Sequence, residues 1–229
     1  KTFLLQYVID VYKKRAIFTA PTNKATKVLK QMLTSPSYDP DTATIYSLLG
    51  LSLSNDGEVK EIIADDEKFE VSRYSLIVLD ECYMVNAALK KYLDKMLKTN
   101  PKVKLLLLGD SYQIPPVGES KSTIEEFFKE GNNPRWKLNK VERHSGDILT
   151  VVDQVRDAID KPLKFKLPFL DDYVNTFDKA VCVVTQEKMV KLIENQIESA
   201  GNFEDSRVIG WMNKTIDFLN ITVRSKLYP

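Results

Sequence analysis

Two adjacent carboxylates, Asp80 and Glu81, close an apolar run in the stretch SLIVLDECYMV. Acidic side chains at the end of a buried strand cost solvation energy unless they face a ligand, a cation or water. A pair so placed suits phosphoryl transfer to water, in which one carboxylate holds magnesium and the other orients or deprotonates the nucleophile. On that reading Asp80 is the metal ligand and Glu81 the base. The competing account is a plain solvated turn, since any strand must end in something polar. The next apolar run leads into GDSYQIPPVG. There Gly109 permits a tight turn, Pro115 and Pro116 stiffen the loop, and Gln113 offers an amide able to sense a phosphate or a water. Gly-Asp and Pro-Pro are ordinary turn formers. A turn alone, however, does not account for an apolar strand, a Gly-Asp, a glutamine and a double proline in this order.

These residues need elements to hold them. Strand-like apolar runs occur at 16–22, 75–81, 104–110, 180–186 and 206–213, and most precede a helical pattern, at 24–33, 86–97, 187–197 and 214–227. Short apolar strands alternating with amphipathic helices predict an α/β fold with a doubly wound parallel sheet. Ligands in such sheets bind beyond the carboxyl ends of the strands. Those ends carry Pro21 and Thr22, Asp80 and Glu81, Gly109 and Asp110, and Asn213. Residues 54–72 interrupt the alternation with seven acids and two lysines, and read as an insertion, a hairpin. Residues 161–172 have no regular period and read as a connector.

The chain has 229 residues, 43% of them hydrophobic, which suits one complete domain and part of a second. A formal charge of +1 excludes recognition of nucleic acid by the whole-molecule field, so any such site is local. The two cysteines, Cys82 and Cys182, lie in or beside apolar runs and are expected as buried reduced thiols; a single histidine, His144, argues against zinc. The apolar runs are far too short for a membrane span.

The segments APTNKA, TIYSLLG, LDECYM, GDSYQIPPVG, LNKVERHSGDIL and WMNKTIDFLN resemble, in order and rough spacing, superfamily 1 DNA helicases of the RecD-like branch, of the phage Dda type. The resemblance spans nearly the whole chain, and the proline-rich motif beside the Asp-Glu strand is its most specific element. It implies a RecA-like P-loop NTPase, with residues 1–147 a first RecA-like ATPase domain and 148–229 the start of a second. The cofactors implied are ATP and Mg2+. Lys1 and Thr2 resemble the end of a Walker A loop, the lysine reaching the β- and γ-phosphates and the threonine the magnesium. Asp80 and Glu81 match the Walker B pair, Gln113 the residue linking the γ-phosphate to the DNA surface, and Arg143 an arginine finger. A surface arginine is the plainer account of Arg143.

Single-stranded DNA and duplex junctions are the implied partners, with replication or recombination proteins beside them. Pro21, Thr22 and Asn23 would meet the DNA backbone with Thr44 and Tyr46 nearby, and Asn213 and Lys214 would contribute from the second domain. Tyr46 stands where family members often carry histidine, which leaves base stacking as its expected role. In the acidic insertion, Ile62 and Ile63 would form the tip of a strand-separating pin, unless they simply pack on the domain. The expected protein is a monomer of the cytoplasm, in a bacterium or a phage-infected cell, that moves 5′ to 3′. Phosphate-loop glycines should precede Lys1 and further motifs should follow Pro229, so the chain is expected to be an internal fragment that binds ATP weakly and unwinds nothing by itself. Rival expectations are an RNA helicase or other superfamily 1 translocase, and a nucleotide-gated DNA-binding module that hydrolyses nothing.

Overall fold

A computed structural model of the chain describes residues 2–53, 59–61, 70–116, 118–129, 133–138, 146–161, 186–200, 209 and 213–227. The chain divides into two compact units, Lys1–Leu138 and Asn139–Pro229. The first contains α1 (Thr2–Tyr12), β1 (Ala16–Ala20), α2 (Asn23–Leu33), β2 (Asp41–Thr44), α3 (Ile45–Leu48), β3 (Leu51–Leu53), β4 (Val59–Glu61), β5 (Leu76–Leu79), α4 (Ala87–Thr99), β6 (Lys104–Leu107) and α5 (Glu125–Lys129). The second contains α6 (Asp147–Asp160), α7 (Gln186–Ala200) and α8 (Asn213–Leu227).

Four strands form a parallel sheet in the order β2-β1-β5-β6, with Thr19 opposite Leu79 and Leu79 opposite Leu107. Every residue of β1 and β5 is buried, because both faces of the sheet are covered. On one face Ile17, Ile77 and Leu79 join Leu89, Leu93 and Met96 of α4 in a single cluster. On the other, Phe18, Leu76 and Val78 join Leu5 and Ile9 of α1 and Leu29 and Leu33 of α2. The helical residues recur at three- and four-residue spacing, as one buried face of a helix requires. Each large side chain buried this way stabilises the fold by about 1.5–3 kcal/mol relative to exposure. The expected doubly wound layering is therefore present.

Several elements differ from expectation. β2, with sequence DTAT, carries no apolar run; it becomes a strand by pairing with β1 along one edge, Ile17 opposite Asp41 through Ala20 opposite Thr44. The expected hairpin exists but opens earlier, since β3 pairs antiparallel with β4, Leu51 opposite Glu61. In the second unit, the expected strand ends Gln186 and Asn213 are instead the first residues of α7 and α8; the rest of both runs lies outside the described residues, apart from Ile209. Ile193 of α7 and Leu219 of α8 are buried together, flanked by Met189, Val190 and Val223.

Candidate active site

All four parallel strands end at one edge of the sheet. From β1 the chain leaves towards β2 on one side, and from β5 it leaves towards β6 on the other. Neighbouring strands whose connections diverge open a crevice between them, the usual ligand position in such sheets. Pro21 and Thr22 follow β1 and Asp80 and Glu81 follow β5, so both flank that crevice. The two strand ends are joined there: the Asp80 N–H donates to the Thr19 carbonyl at 2.8 Å, and the buried Thr19 hydroxyl donates to the Val78 carbonyl at 2.8 Å.

Asp80 and Glu81 are half-exposed. The Asp80 carboxylate accepts the Glu81 N–H at 2.9 Å. Glu81 sits at φ 54°, ψ 38°, the left-handed region, where a side chain other than glycine costs about 1–2 kcal/mol. Strain of this kind persists only where the surroundings over-determine it. Here the next residue is pinned: Cys82 is buried, and its N–H donates to the Leu108 carbonyl at 2.9 Å. A Cβ on Gly109 would lie 2.6 Å from Cys82 Sγ and 2.6 Å from Tyr83 Cδ2, so only glycine lets the two loops touch.

Beyond Gly109 the chain turns on Asp110. Its side chain accepts the Tyr112 N–H at 3.1 Å and its carbonyl the Gln113 N–H at 3.1 Å. Gln113 and Ile114 are exposed. Below the loop, the Tyr83 hydroxyl donates to Glu125 at 2.6 Å and accepts from Arg135 at 3.3 Å. Burial above all, then the hydrogen bond to Glu125 and its negative charge, push the Tyr83 phenol well above its ordinary pKa, against the opposing charge of Arg135.

At the same edge Thr22 caps α2, its hydroxyl accepting the Ala25 N–H at 3.2 Å. Thr44 caps α3 by accepting the Ser47 N–H at 3.0 Å. Each hydroxyl keeps a proton to donate outward. Asn23, exposed, opens α2, whose amino end carries partial positive charge. Tyr46 corrects the expectation made for it. It is 7% exposed and packs in the core with Ile45 and Leu48, and such a ring has no face to offer a base.

The remaining candidates divide by what the structure describes. Thr2 begins α1, Asn213 begins α8, and Lys214 is exposed in its first turn; the side chains of Thr2 and Asn213 are outside the described set. Lys1, Ile62, Ile63 and Arg143 lie outside the described residues, the two isoleucines following β4 in sequence. The sequence reading missed Thr19, Tyr83 and Glu119. Thr19 lies in the apolar run 16–22 and Tyr83 in LDECYM, where neither was singled out, and no local pattern marks Glu119.

Asp80 and Glu81 offer hard, partly hydrated oxygen donors, and among the described residues no three or more His, Cys, Asp or Glu gather as a metal cluster. That donor set fits Mg2+, which is ordinarily held by one or two carboxylates together with phosphates and water. Among the described residues no helix is long and apolar enough to cross a membrane.

Comparison with known proteins bears on the same edge. Residues 1–119 match the model of the AAA domain family. The chain is 24% identical over 228 residues to the ATP-dependent DNA helicase dda of Enterobacteria phage T4, covering 99% of this chain and 49% of that protein. It is 23% identical over 240 residues to uncharacterized protein R530 of Acanthamoeba polyphaga mimivirus, covering 97% and 48%. The chain thus spans about half the length of the curated relatives it matches. Among solved structures, Bacteroides sp. Pif1 in complex with ADP-AlF4 superposes with a TM-score of 0.50 at 17% identity, covering 96% of this chain and 49% of that one. A likeness at that identity speaks to the fold alone, and the fold is the RecA-like P-loop NTPase fold expected from the motifs.

Proposed function

Because the chain belongs to the AAA domain family, we propose that the protein is an ATP-dependent DNA helicase, coupling ATP hydrolysis to 5′ to 3′ movement on single-stranded DNA and to duplex separation. The observation that carries this reading is the carboxylate pair at the end of β5, strained at Glu81 and followed by Cys82 and Tyr83, which pack against Gly109 at the start of the loop that presents Gln113. A binding module has no need of a base held at energetic cost. The relationship to the phage T4 ATP-dependent DNA helicase dda supports the choice of DNA and of ATP.

In this proposal Glu81 takes the proton of the attacking water, and the turn that strains its backbone aims its carboxylate. Asp80, with the hydroxyl of Thr2, holds Mg2+, whose charge offsets that of the phosphates when bound. Lys1 contacts the β- and γ-phosphates, Gln113 reports the γ-phosphate to the DNA surface, and Arg143 is the arginine finger, a role worth roughly 10³ to 10⁵ in rate. Thr22, Asn23 and the amino end of α2 hold a DNA phosphate, with Thr44 beside them and Asn213 and Lys214 as further contacts; Pro21 is buried and shapes the turn from β1 into α2 rather than meeting the DNA. Ile62 and Ile63 form the separating pin.

The deciding experiment is Glu81→Gln in the intact protein. DNA-stimulated ATP hydrolysis should vanish while nucleotide binding persists; unchanged turnover would remove Glu81 from the role of base. Duplexes with single-stranded 5′ or 3′ tails, in DNA and in RNA, read out polarity and substrate in one assay, and unwinding from the 3′ tail or of RNA alone would count against the proposal.

A further inference from the structure

The loop that presents Gln113 is fastened at its far end by a residue outside the catalytic set. Gly118, at φ +80°, allows a turn in which the Glu119 N–H donates to the Pro116 carbonyl at 3.0 Å. Glu119 Oε1 then accepts the N–H of Ala87, the first residue of α4, at 2.9 Å. Ser122 and Thr123 donate their hydroxyls to the Val85 carbonyl at 3.2 and 3.3 Å. The loop therefore ends on residues 85–87, a few positions past the carboxylate pair. Its beginning is tied to the same segment through Cys82 and Leu108.

One detail shows that the clamp is held against a cost. Among the described residues, Glu119 Oε2 is buried with no hydrogen-bond partner. Leaving a buried carboxylate oxygen unpaired is unfavourable, and the positive end of the α4 dipole offsets it only in part.

We propose that Glu119 is a positioning residue for hydrolysis: by clamping the far end of the Gln113 loop, whose beginning is already tied through Cys82 and Leu108, to the segment that follows Asp80 and Glu81, it makes the glutamine and the carboxylates move as one piece. This rests on the ATPase reading. Glu119 touches no substrate, and its loss should free Gln113 without unseating nucleotide.

In the intact protein, Glu119→Ala should speed amide hydrogen exchange at Tyr112 and Gln113 about tenfold, while the interior α4 amide of Leu93 stays within about twofold. The kcat of DNA-stimulated ATP hydrolysis should fall roughly tenfold with the KM for ATP within about twofold of the parent, the split expected of lost transition-state positioning. Glu119→Gln keeps an acceptor for Ala87 and should recover most of both. Unchanged exchange at Tyr112 and Gln113 overturns the clamp, as does exchange that rises equally through α4. Faster loop exchange with an unaltered kcat overturns the positioning role. Absence of DNA-stimulated hydrolysis in the unmodified protein sinks the helicase reading itself, a result separable from either.

Discussion

Gly109→Ala tests how tightly the two site loops are fitted. The new methyl would sit 2.6 Å from Cys82 Sγ, 2.6 Å from Tyr83 Cδ2 and 3.2 Å from Tyr83 Cε2. Carbon atoms rest about 3.5–4.0 Å apart, so roughly 1 Å of movement is required. Neither neighbour yields easily. Cys82 is 1% exposed and its N–H is bonded to Leu108. Tyr83 is 8% exposed and its hydroxyl is held at 2.6 Å by Glu125, so the ring retreats only by stretching a short hydrogen bond. Overpacking of this kind costs about 1–3 kcal/mol, and the double contact places this substitution in the upper half of that range. At roughly 2–4 °C of Tm per kcal/mol for a chain of this size, thermal unfolding followed by circular dichroism should drop by about 4–12 °C. Cys82→Ala removes one of the two contacts, so the double variant should recover part of the loss, with a coupling of about 0.5–3 kcal/mol. A Gly109→Ala protein that melts within about 1 °C of the parent, or strict additivity with Cys82→Ala, would refute the close fit.

Three further substitutions probe the same turn. Glu81→Gly and Glu81→Ala both delete the base, but only glycine is at ease at φ 54°, so the glycine variant should be more stable than the alanine one by about 1 kcal/mol in chemical denaturation; equal stabilities would mean that the left-handed backbone carries no strain. Tyr83 gives a pH dependence. Its phenol is raised above 10.0 chiefly by burial and then by Glu125, so the folded state holds the proton more tightly than the unfolded one. That stabilisation is complete below pH 10 and is lost as pH rises above it. Tyr83→Phe should flatten the alkaline fall in stability, and an identical alkaline slope in the two proteins would dispose of the idea.

The sheet was legible where burial was two-sided. β1 and β5 read as continuous apolar runs because a strand covered on both faces has no polar side to show, and β6, an edge strand only partly buried, carries a similar run in KLLL. β2 was invisible for the opposite reason: an edge strand of sequence DTAT becomes β only by pairing with β1. The helices α2, α4, α7 and α8 were placed to within two or three residues, their apolar spacing being a local property. Tyr46 shows the limit of that logic. Its motif suggested a surface role, and nothing in TIYSLLG says that the ring is buried in the core of the first unit.

By itself the sequence determined which side chains could do chemistry and that strand ends would carry them, because residue type and hydrophobic period are written along the chain. Only the tertiary structure decided that Gly109 lies against Cys82, that Glu81 is forced into a left-handed backbone, and that Glu119 reaches across to the first turn of α4. Each of these depends on which strands become neighbours, and that choice is made by the packing of distant residues against one sheet rather than by any stretch of the chain alone.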